Sequence, residues 1–104
     1  MSTAFMVLAE PHRRRILDLL LVQERPVGDL VADLALSQPA VSKHLRVLRE
    51  AGLVEVRAVA QRRLYRVRPE PLRDIDDWLA PYRRLWAERL DALQAHLDAM
   101  EEST

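Results

Sequence analysis

Apolar residues follow a helical rhythm up to about residue 52 and an alternating one just after it. Residues 3 to 9 (TAFMVLA) are short and apolar and predict a first helix. Pro11 suits the first turn of a second helix, where its missing N–H costs nothing. Ile16, Leu17, Leu20 and Leu21 give that helix an apolar face, and it should end near Gln23, before Pro26. Leu30, Val31 and Leu34 predict a short third helix within Gly28 to Ala35, followed by a tight turn at Leu36-Ser37. Ser37 is a favourable N-cap for a fourth helix, Pro39 fits its first turn, and Gly52 suits the left-handed position just past its end. Val41, Leu45 and Leu48 stand at i, i+4 and i+7, so one face of this helix is core and the rest faces outward.

From Leu53 the period becomes two. Leu53, Val54, Val56 and Val59, then Leu64, Tyr65 and Val67, interleave with Arg57, Arg63, Arg66 and Arg68 and predict a hairpin turning near Ala60-Gln61. Neither turn residue is the Gly, Asn or Asp that tight hairpins favour, which leaves a longer or open loop as the alternative. After Pro69 and Pro71 an apolar stripe runs through Leu72, Ile75, Leu79, Tyr82, Trp86, Leu90, Leu93, Leu97 and Met100, about eight helical turns. Pro81 lies inside it and has no N–H for the carbonyl of Asp77, so a kink or a split is expected there. The fold class is mainly α with a small β-hairpin. Two short helices across a tight turn, followed by a basic hairpin, form a winged helix-turn-helix.

Composition adds size and charge to this picture. The 104 residues make one small domain, with a DNA-reading core at about 26–68 and outer helices at about 3–9 and 71–100. A domain this small buries a modest core and gains from a partner subunit. Net charge is zero, yet residues 1–36 carry four basic and five acidic side chains, residues 37–68 eight and two, and residues 69–104 four and nine. The basic middle is the electrostatic footprint a polyanion requires. There is no cysteine, which excludes disulfides, thiolate nucleophiles and cysteine-ligated metal. No apolar run is long enough to span a bilayer and nothing reads as a signal peptide, so a cytoplasmic location is expected.

A major groove about 12 Å wide admits one helix, which must seat one side in its own domain and offer hydrogen-bonding groups on the other. Helix 37–50 meets both demands: Gln38, Ser42, Lys43, Arg46 and Arg49 lie opposite Val41, Leu45 and Leu48. Gln38 suits adenine, Ser42 lets the backbone approach, and Lys43 and Arg46 reach guanine edges or phosphates. Ser37 stands at the helix N-terminus, which itself attracts phosphate. Arg62 and Arg63, at the hairpin tip, are placed to enter a minor groove or grip its phosphates, and Arg57, Arg66 and Arg68 extend the basic surface. Arg49 is read as a partner of the helix dipole. His44 is divided between a phosphate contact and a half-buried packing role.

Leu30 to Gly52 (LVADLALSQPAVSKHLRVLREAG), with Leu53-Val54 and Arg62-Arg63-Leu64-Tyr65-Arg66-Val67, resembles the ArsR family of bacterial winged-helix repressors. Leu8 to Leu17 (LAEPHRRRIL) is similar to the family's N-terminal pattern, so the resemblance covers roughly residues 7–68. It implies a homodimeric repressor in which Gln38, Ser42 and Lys43 match base-reading positions and the tip arginines match the wing. Ala60-Gln61 departs from the pattern, since the family's wing often carries glycine there.

The resemblance also implies places for a sensor metal: cysteines before the recognition helix, or carboxylates and histidines on the C-terminal helix. Leu34-Ala35-Leu36 has no cysteine, and His96 with Asp98 or Asp91 is the one C-terminal candidate, better read as a surface histidine. His12, beside three arginines, reads as structural. No metal, cofactor or catalytic site is therefore expected, and regulation should be metal-independent. With two glycines there is no phosphate-binding loop, and Asp74, Asp76 and Asp77 read as a solvated face, so an enzyme is not expected. The C-terminal stripe is longer than so small a core needs. The excess, with Trp78, Tyr82, Leu85, Trp86, Leu90, Leu93 and Leu97, is assigned with Phe5, Met6 and Leu8 to a two-fold dimer interface. The functional expectation is a repressor on an inverted-repeat operator in double-stranded DNA; the alternative is a winged-helix protein-interaction module.

Overall fold

Local capping chemistry sets the starts of two helices and the end of one. The structure, a computed structural model, describes residues 2–103. In chain order these form α1 (Ser2–Leu8), α2 (Pro11–Val22), α3 (Val27–Leu34), α4 (Gln38–Glu50), β1 (Val54–Val59), β2 (Arg62–Val67) and α5 (Glu70–Glu102). Pro11 opens α2, capped by the Glu10 carboxylate, which accepts the Arg13 N–H at 2.9 Å. The Ser37 hydroxyl caps α4 by accepting from the Ala40 N–H at 3.3 Å. At the other end Gly52, with φ +76°, donates to the Arg49 carbonyl at 3.0 Å, and Leu53 donates to Leu48 at 2.9 Å. This pair of bonds is a Schellman stop. It also drops Leu53 into the core beside Leu48, both fully buried.

The core is the meeting of Ile16 and Leu20 from α2, Leu30 and Leu34 from α3, Val41, Leu45 and Leu48 from α4, then Leu53, Val54 and Val7. Each large side chain buried this way is worth roughly 1.5–3 kcal/mol of transfer free energy. The expected core face of α4 is thus the observed one. On α2 the outcome differs: Ile16 and Leu20 are buried and Leu17 is half-buried, but Leu21 is 79% exposed. The neighbours of α2 cover only part of its apolar arc.

β1 and β2 pair antiparallel, from Val54 opposite Val67 to Val59 opposite Arg62. The two-residue loop Ala60-Gln61 is therefore tight, not open, with Ala60 at φ +56°. An isolated bridge ties the hairpin to the segment before α3: Arg25 N–H donates to the Tyr65 carbonyl at 3.1 Å and Tyr65 N–H to that of Arg25 at 2.8 Å. The hairpin is thereby locked against the helix-turn-helix.

α5 runs unbroken through Pro81, so of the expected kink or split the split does not occur. Proline removes one backbone donor, and Arg83 bridges the disturbed turn: its guanidinium donates to the Asp76 carbonyl at 3.2 Å and pairs with the Asp76 carboxylate at 2.8 Å. At 33 residues α5 is about 50 Å long. It has no buried residue, and its first turn packs against the core through half-buried Leu72. No helix among the described residues is long and apolar enough to cross a membrane.

Candidate nucleic-acid interface

α4 is seated by Val41, Leu45 and Leu48, which leaves Gln38, Ser42, Lys43, Arg46 and Arg49 exposed. Pro39, Ser42, Lys43 and Arg46 line one shallow open depression of about 330 Å³. Three of the proposed reading residues are thus neighbours on one outward surface. Ser37 lies just before them with its hydroxyl engaged in the cap.

The basic side chains of the middle segment divide into two groups. Arg57 makes a two-pronged pair with Glu24, its Nε at 2.8 Å from Oε2 and its Nη2 on Oε1. That hydrogen bond holds the Glu24 carboxyl below its ordinary value, outweighing the rise due to partial burial, and raises the Arg57 guanidinium. Arg66 bonds Glu55 at 2.5 Å, and Arg68 lies 3.7 Å from both Glu55 and Glu70. Among the described residues Lys43, Arg46, Arg62 and Arg63 enter no ion pair. Within residues 37–68 the positive charge left without an ion pair therefore lies on α4 and at the hairpin tip. Arg57 instead fastens β1 to the segment that follows α2.

His44 separates from this group. Its ring is 22% exposed and turned toward the start of α2, with Nδ1 3.9 Å from a Glu10 carboxylate oxygen. His12 Nδ1 lies 3.0 Å from the other oxygen, and the two imidazole rings are 5.7 Å apart. His44 is thus half-buried between α4 and the start of α2. The convergence of Glu10, His12 and His44 has no signature in the sequence, because only the packing of α2 on α4 joins them. On α5, His96 with Asp91 or Asp98 forms no such convergence among the described residues, and Asp98 accepts a 2.8 Å hydrogen bond from Gln94.

The residues assigned to a dimer interface are mostly bare. Trp78, Tyr82, Leu85, Trp86, Leu90, Leu93 and Leu97 are exposed, as are Phe5 and Met6. Leu8 instead is half-buried against the core. Phe5 packs edge-on against Trp78 at 5.5 Å, and Trp78 lies 4.8 Å from Tyr82, so α1 and α5 present one continuous aromatic surface.

Known proteins resemble this chain in sequence and in fold. A sequence model described as "Bacterial regulatory protein, arsR family" matches residues 10–56. The chain is 36% identical over 101 residues to the HTH-type transcriptional regulator Rv2034 of Mycobacterium tuberculosis, covering 97% of this chain and 92% of that protein. The chain belongs to the ArsR family. A second relative, the transcriptional repressor SdpR of Bacillus subtilis, is 30% identical over 76% of this chain and 88% of its own length. The ArsR-like transcriptional regulator from Rhodococcus sp. RHA1 superposes with a TM-score of 0.71 at 29% identity, across 88% of this chain and 87% of that one. The ArsR-family winged helix-turn-helix is therefore the fold of this chain, and transcriptional regulation is its function.

Proposed function

We propose that this ArsR-family regulator is a homodimeric repressor that reads an inverted-repeat operator in double-stranded DNA. Each α4 occupies a major groove through Gln38, Ser42, Lys43 and Arg46, and each β1–β2 hairpin grips the flanking backbone through Arg62 and Arg63. The observation that carries this reading is the sorting of charge: Arg57, Arg66 and Arg68 are neutralised by carboxylates, while Lys43, Arg46, Arg62 and Arg63 are not. Uncompensated cations cost self-repulsion unless an anionic partner meets them, and DNA phosphates do so with release of counterions. A protein-docking module would expose apolar residues on the outward face of α4. That face carries serine, lysine and arginine instead.

Two-fold symmetry in the protein requires two-fold symmetry in the site, with half-sites one helical turn, or a multiple of it, apart. The working place of such a protein is the cytoplasm, with the bacterial DNA. Selection of binding sites from random duplexes by the purified chain tests the proposal. An enriched inverted repeat with that spacing is the expected result. Failure to enrich any sequence, with binding that depends on salt alone, would overturn it.

A further inference from the structure

Glu10, His12 and His44 each bring one ligand atom to within 4.8 Å of the others. Glu10 and His12 stand at the start of α2, whereas His44 comes from α4, so the cluster joins two elements. Its closest separations are 3.0 Å from Glu10 Oε1 to His12 Nδ1 and 3.9 Å from Glu10 Oε2 to His44 Nδ1. A tetrahedral ion bound at about 2.0–2.1 Å holds its ligands roughly 3.3 Å apart; the two imidazoles flank different oxygens of one carboxylate, so side-chain rotation alone can draw the three ligand atoms to that spacing. Two imidazole nitrogens and one carboxylate oxygen are a donor set suited to zinc-class cations, and three protein ligands leave a fourth position for water.

We propose that Glu10, His12 and His44 form a divalent transition-metal site that ties α4 to the start of α2. The carboxylate is oriented in advance, because the Arg13 N–H fixes Oε2 at 2.9 Å. Although Arg13, Arg14 and Arg15 follow closely in sequence, no arginine or lysine side chain among the described residues pairs with Glu10; its side-chain partners are the two histidines. The site is open to entry, with His12 48% and Glu10 29% exposed. An ion there fixes the pitch of α4 against α2, next to Lys43. The absence of cysteine, which pointed to metal independence, does not bear on a site of this composition. The proposal goes beyond DNA reading and does not depend on it.

Metal uptake by the metal-free full chain, measured without DNA, is the test. Wild type should bind one Co²⁺ per chain with the strong visible absorption of a tetrahedral complex, and Zn²⁺ should displace it. His12→Ala and His44→Ala should each weaken Zn²⁺ binding by roughly 100-fold or more, since residues that only support a ligand already contribute about 10–100-fold. Glu10→Gln, which retains a capping oxygen, should do the same, and His96→Ala should change nothing. His12 is exposed, so its alanine variant keeps the wild-type helical circular dichroism and isolates the ligand effect. No uptake by wild type, uptake indifferent to His12→Ala, or loss in His96→Ala would each overturn the site.

Discussion

Three of the described residues sit in the left-handed region, and among them only Gly52 is glycine: Gly52 at φ +76°, Ala35 at +55° and Ala60 at +56°. For an L-residue that conformation costs roughly 1–2 kcal/mol, because Cβ crowds the following carbonyl. A Cβ added at Gly52 would meet only the Pro71 side chain, at an ordinary 3.6 Å, so the penalty there is one of backbone conformation. Gly52→Ala should lower unfolding stability by about 1–2 kcal/mol in a urea titration. Ala60→Gly should act in the opposite sense. It relieves that strain but adds an entropy cost of about 0.5–1 kcal/mol, for a net gain of up to about 1.5 kcal/mol. A variant destabilised by about 0.5–1 kcal/mol, the entropy cost of glycine alone, would mean that the tip is not strained. The wing's tight turn, formed without a favourable residue, has the same origin: the paired strands on either side impose it on Ala60.

At the scale of elements, α4 and the hairpin make separable contributions to DNA binding. Gln38→Ala and Arg46→Ala should each cost roughly 1–3 kcal/mol of discrimination between the operator and a mutated site, read by competition binding. Undiminished discrimination in both variants would remove α4 from the groove. The double change Arg62→Ala with Arg63→Ala should weaken all sequences alike. It should also flatten the salt dependence of log K by roughly 0.9 for each phosphate that the tip no longer neutralises, and an unaltered slope would contradict the wing's role. The outline of both elements was legible in the sequence because their signals are local: the Ser37 cap, the Val41, Leu45 and Leu48 spacing, the Gly52 stop and the alternation after it. What was not legible depends on tertiary packing. The Arg25–Tyr65 bridge is made by backbone groups that any residue carries, and the Arg57–Glu24 pair and the Glu10, His12, His44 cluster join distant segments. Leu21 misled because an apolar period shows which face is greasy, not how much of it neighbours will cover.

At the scale of the whole molecule, the dominant feature is an arm without a partner. The chain extends 67 Å along its longest axis, and every residue from 81 to 103 is exposed, including Trp86 at 71%. Monomers rarely expose contiguous apolar patches larger than a few hundred Å². A stripe spaced at three and four residues along a 33-residue helix is the pattern that packs against another helix. A second copy supplies such a helix by symmetry, and a two-fold axis would also bring Phe5 and Trp78 of each protomer to the same seam. Leu90→Glu with Leu97→Glu places two carboxylates per protomer in that seam. Burying unpaired charge costs several kcal/mol, so dimerisation should weaken by at least roughly 100-fold. Sedimentation at micromolar concentration should find wild type dimeric and the variant monomeric. The helical signal of the core should persist, since neither leucine touches it. Operator binding should fall together with the dimer, because one α4 alone reads only half of an inverted repeat. A variant that still sediments as a dimer would move the interface away from α5 and leave the exposed stripe to another partner.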